Sequence, residues 1–73
     1  MTQSHGTADL LTERQREFVL EAVDRGYYDS PRGCTLTDLA ETFGVNRSAA
    51  SGVLRRAERR IIEGFVETER VTD

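Results

Sequence analysis

One stretch of twenty residues, LTDLAETFGVNRSAASGVLR from Leu36 to Arg55, restricts the fold more than any other part of the chain. Leu36, Leu39, Ala40 and Phe43 recur at i, i+3, i+4 and i+7, which places them on one face of a helix. Gly44 follows where a helix needs a left-handed residue to stop, Val45 plugs the turn, and Asn46 has the side-chain oxygen that caps a new helix. Ala40 is small where two helices must cross closely, and Ala50, Val53 and Leu54 return the second helix to the same core. The pattern predicts a helix-turn-helix that holds double-stranded DNA. The competing structural reading is a plain three- or four-helix bundle whose tight turn uses Gly44.

The rest of the chain extends this unit into an all-α fold, a three- to four-helix bundle with a helix-turn-helix and a long C-terminal recognition helix. Residues 1–10 are polar and read as a disordered tail, 11–69 as the helix-turn-helix DNA-binding domain, and 70–73 as a C-terminal tail. Thr-Glu-Arg-Gln from Thr12 forms a capping box for helix one, whose buried stripe is Phe18, Val19, Ala22 and Val23 and which Gly26 closes. GYYDSPRGC, residues 26 to 34, is a connector rich in turn formers. Tyr27 and Tyr28 are expected to clamp it on the core, with at least one hydroxyl near water or a backbone group; nucleotide stacking is the lesser alternative. Thr35 to Asp38 offers a second capping signature. Helix three runs from Asn46 to about Glu67, roughly 30 Å, with a fray or bend expected at Gly64.

Several function classes drop out. No run approaches the roughly 20 apolar residues of a membrane span, and no basic-then-apolar leader opens the chain, so a cytoplasmic protein is expected. Cys34 is the only cysteine and His5 the only histidine, too few for a zinc site and remote from each other for nucleophilic catalysis. A redox role for Cys34 would need an exposed, electropositive thiol; the stronger reading is a small residue in the turn before a helix. No enzyme, cofactor, metal or small-molecule ligand is expected. A chain of 73 residues buries only about 60–65% of its unfolded surface, which favours association between copies.

A net charge of −3 sits badly with DNA until it is divided along the sequence: residues 1–44 carry −4, residues 45–60 carry +4 and the last 13 carry −3. All surplus positive charge lies on the expected recognition helix. With about 100° per residue, Ala50, Leu54, Ala57, Ile61 and Phe65 form a narrow core wedge, while Ser48, Ser51, Gly52, Arg55 and Arg59 lie on an arc roughly 140° away. Arg47, Ser48, Ser51 and Arg55 are expected near base edges, with Gly52 letting the backbone approach closely. Arg56, Arg59 and Arg32 are the phosphate candidates. The alternative for the arginines is a solvated face with Arg59 bridging to Glu63. Like charges at Arg55/Arg59 and Arg56/Arg60 weaken an isolated helix by a few tenths of a kcal/mol each, which suits a polyanionic partner.

Ile62 and Val66 fall outside the core wedge. With Phe65 they are the expected homodimer interface, with helix one as a further candidate for the contact, so that two reading heads address a pseudo-palindromic site; the alternative is that these residues fold back under the N-terminal segment. All ten basic residues are arginine, beside 13 acids. That composition suits a proteome adapted to concentrated salt, and genomic base composition could produce the same bias.

LTERQREFVLEAVDRGYYDSPRGCTLTDLAETFGVNRSAASGVLRRAERRIIE, Leu11 to about Glu63, resembles the C-terminal helix-turn-helix domain of the bacterio-opsin activator family of haloarchaea. LTERQRE, GYYDSPR and LRRAERR carry the resemblance, and the opening also looks like the promoter-binding region of bacterial sigma factors. It implies a transcription regulator with a four-helix fold in a high-salt cytoplasm. The family usually carries large sensory regions ahead of this domain, so a chain with ten residues upstream is expected to lack a sensor. Ser51-Gly52-Val53 replaces a more polar run in the family's recognition helix, so no sequence preference carries over. An interaction module that pairs with larger relatives or the transcription machinery without reading DNA is the alternative function.

Overall fold

The structure, a computed structural model, describes residues 10–71. Among the described residues three helices make up the fold: α1 (Glu13–Asp24), α2 (Leu36–Thr42) and α3 (Arg47–Val71). No strand occurs among the described residues. Both expected capping boxes form. Thr12 accepts from the Gln15 amide and Gln15 from the Thr12 amide, and Thr35 and Asp38 repeat the exchange at α2. Asn46 caps α3 by accepting from the Ala49 amide at 2.8 Å.

The two short helices end in the same way. Gly26 (φ 82°) and Gly44 (φ 69°) take the left-handed conformation that glycine adopts without Cβ strain. Beyond them the Tyr27 amide donates to the Ala22 carbonyl at 2.8 Å and the Val45 amide to the Ala40 carbonyl at 2.9 Å. With the Gly26 to Val23 and Gly44 to Glu41 bonds, both ends are Schellman motifs, satisfying carbonyls that a bare helix end would orphan.

Phe18, Ala22, Leu39, Ala40, Ala50 and Leu54 form the buried centre, closed from the α1–α2 loop by Cys34. Phe18 stacks on Phe43 with ring centroids 4.0 Å apart. Removing a ring as buried as Phe18 costs about 3–5 kcal/mol, against a total of roughly 4–11 for a domain this size. Cys34 is only 5% exposed, so its thiol is a packing group and the exposed, redox-active reading does not hold.

Four expectations need correction. Val23 is 58% exposed, because α1 turns only Phe18 and Ala22 fully inward and leaves Val19 at the edge. Phe65, placed in the core wedge, is 63% exposed: α1 covers α3 only as far as Ile61, which is itself half-buried. Helix three neither frays nor breaks at Gly64 but continues through Arg70 and Val71, which had been assigned to a tail. Leu10, also assigned to a tail, lies against Gly64, where an added Cβ would collide with its Cδ1. Glycine here makes room for Leu10. The expected disorder of residues 1–9, and the tail at 72–73, lie outside the described residues. No described helix is long and apolar enough to cross a membrane.

Candidate nucleic-acid interface

The helix-turn-helix corner fixes where α3 begins, and so fixes the first side chains it offers to solvent. Arg47, Ser48 and Ser51 share a shallow concavity with Leu36 of α2. Arg47 and Ser48 are exposed and Ser51 and Gly52 half-exposed, while Ala50 and Leu54 on the opposite side are buried. Arg55 continues this outer face and is exposed. Among the described residues Arg47, Arg55 and Arg56 make no hydrogen bond or ion pair. Their charges stay available to an external acceptor.

A second cationic group lies further along α3. Arg56, Arg59, Arg60 and Glu63 surround a concavity closed on its other side by Gln15 of α1. The Arg59 Nε donates to Glu63 at 2.9 Å, the expected alternative partner, with the two side chains 77% and 59% exposed. Exposed pairs of this kind contribute about 0–1 kcal/mol, so a phosphate can replace the carboxylate at little cost. The Arg60 Nε donates to the Leu10 carbonyl at 3.1 Å. Arg60 was not among the sequence candidates, although its spacing from Arg56 was visible. Its place beside Gln15 depends on how α1 crosses α3, which spacing along one helix does not contain.

Arg32 stands apart from both groups. It sits on the α1–α2 loop, donates from Nε to the Tyr27 carbonyl at 3.0 Å, and lays its guanidinium over the Tyr27 ring at 4.4 Å. Tyr27 meets Tyr28 edge-on at 5.0 Å, and the Tyr28 hydroxyl donates to the Glu58 carboxylate on α3. The loop is thus tied to α3 through a side chain. Burial, then the Glu58 hydrogen bond, hold the Tyr28 phenol well above its ordinary titration range. At α2 the Thr35 amide, then the Thr35 hydroxyl, hold the Asp38 carboxyl below the usual carboxylate range.

The sequence profile of a family described as an HTH DNA binding domain matches residues 11–63. Among curated proteins, the dimethyl sulfoxide reductase transcriptional activator of Halobacterium salinarum is 41% identical over 71 residues, covering 93% of this chain and 32% of its own length. Its namesake in Haloferax volcanii is 42% identical over 65 residues, covering 86% of this chain and 30% of its own. The transcriptional regulator NarO of Haloferax volcanii is 32% identical over 59 residues, covering 81% and 28%. The chain therefore spans about a third of the length of these relatives. No solved structure matches it.

Proposed function

The chain belongs to this HTH DNA-binding domain family, and on that premise we propose that it is a transcription regulator, working in the cytoplasm as a homodimer that lays α3 in the major groove of DNA. One observation carries the reading: on the first three turns of α3, Arg47 and Arg55 are solvent-facing cations without a partner among the described residues, beside small residues at Ser48, Ser51 and Gly52. Small side chains let the helix backbone come close to base edges, and a guanidinium can span the O6 and N7 of guanine. Arg56 and Arg59 on the flank hold phosphates and set the register. Arg32 is a phosphate contact only after release from Tyr27.

Neutralising phosphates releases condensed counterions, so affinity falls steeply with salt. The test is fluorescence anisotropy on a labelled duplex of mixed sequence, followed by selection from a random duplex library to obtain the preferred site. The double substitution Arg55→Glu with Arg59→Glu should weaken binding at least 100-fold at matched salt while the circular dichroism spectrum is unchanged. Unaltered binding by a folded double variant would sink the reading. Absence of duplex binding by the parent chain, with retention of larger relatives on an affinity column, would favour the interaction module instead.

A further inference from the structure

One to two turns beyond Arg55 along α3, an apolar surface runs across α1 and α3. Val19 and Val23 of α1, Tyr28, and Glu58, Ile61 and Ile62 of α3 line an open groove of about 250 Å³ with almost wholly apolar walls. Leu20 (53% exposed) adjoins Val23 on α1, and Phe65 (63%) and Val66 (36%) follow Ile61 and Ile62 one turn further along α3. Leu10, the first described residue, packs on Gly64 and leaves Ile62 60% exposed, so among the described residues nothing folds back over this face.

The geometry points to a second copy of this chain as the occupant, with Phe65 of each protomer entering the α1–α3 groove of the other. This names the contact surface of the homodimer proposed above and rests on that reading. Three arguments favour a second copy over a different protein. The same face carries both a groove and a projecting ring, and an isologous two-fold contact needs one patch that is donor and acceptor at once. The exposed fractions of Leu20, Val23, Tyr28, Ile62, Phe65 and Val66, applied to side chains of roughly 150–200 Å² each, give on the order of 500 Å² per copy. Two such patches bury about 1,000 Å² in total, the lower bound for a specific interface. Finally, Phe65 lies about 24 Å along the helix from the Arg47 to Ser51 turn, so both surfaces can be occupied together.

Tyr28 donates to Glu58, so the groove's hydroxyl keeps its acceptor when it is covered. Aromatic rings seated in desolvated apolar pockets are the usual centres of binding energy at interfaces. Phe65 is that ring here, and Val23 is part of its seat.

Sedimentation equilibrium of the full chain without DNA, from 1 to about 200 µM, tests the surface directly. The parent chain should sediment as a dimer, and Phe65→Asp and Val23→Asp should each raise the dimer dissociation constant at least 100-fold. Both side chains are more than half exposed in the protomer, so an unchanged helical circular dichroism spectrum is expected and checks that each variant folds. A parent chain that stays monomeric across this range, or a dimer indifferent to both substitutions, would overturn the inference. The two readings fail separately: a monomer that still binds a mixed-sequence duplex removes only the interface, and a dimer that binds no duplex removes only the regulator.

Discussion

Thr35 and Asp38 show how much of a small helix is decided by two side chains. α2 has only seven residues, too few to persist on propensity, and its first turn is held by the reciprocal bonds of the capping box. Thr35→Ala should therefore lower stability by about 1 kcal/mol. The Asp38 half of the box responds to pH in a known sense. Its folded pKa is depressed, so its contribution is complete above the unfolded value of about 3.9 and is lost as pH falls through the folded value. Melting temperatures of the parent and Asp38→Ala chains should differ by a constant amount from pH 7 to about pH 4.5, and the gap should close below that. A gap that persists undiminished to pH 2.5 would show that the carboxylate charge plays no part. Caps of this kind were legible in the sequence because both partners lie three residues apart. Arg32 was not: whether its guanidinium meets a phosphate or the Tyr27 ring depends on a loop path fixed by the Gly33 amide bonding to the Gly26 carbonyl at 2.7 Å.

For the helices, periodicity gave the faces but not where burial stops. Angular position alone keeps Phe65 in line with Ala57 and Ile61, and only the crossing of α1 shows that the cover has ended before it. The same limit explains Val23, which meets solvent although Ala22 beside it in the chain is fully buried. Gly52 poses a sharper question, because glycine costs about 1 kcal/mol in a helix relative to alanine. An added Cβ there would meet only the flexible Arg56 guanidinium, at 3.5 Å, so nothing in the free protein demands glycine. Gly52→Ala should stabilise the fold by about 0.5–1 kcal/mol in urea denaturation. If the α3 backbone comes into contact with the duplex at this turn, the same substitution should weaken DNA binding about tenfold in anisotropy. A more stable variant with unchanged affinity would place the duplex further from the helix than proposed.

At the scale of the molecule, α3 sets the dimensions: its 25 residues span roughly 37 Å, close to the longest extent of 41 Å. One helix therefore carries a cationic reading end and an apolar end, and their separation constrains any symmetric dimer. If two copies meet near Phe65, each reading turn lies about 24 Å from the two-fold axis along its own helix. Successive major-groove faces are about 34 Å apart, so the two α3 axes must meet at about 90°. Collinear helices would set the heads too wide, at about 48 Å. The selected DNA site should accordingly contain two half-sites separated by 10–10.5 base pairs, centre to centre. Inserting about five base pairs between them turns one half-site to the far side of the duplex, and affinity should fall to that of a single half-site. Inserting a full turn moves the second half-site about 34 Å further away and should also abolish the gain. Phe65→Asp should bind all three duplexes with the same single-site affinity. Equal affinity of the parent chain for every spacing would mean that the two heads are not coupled through α3.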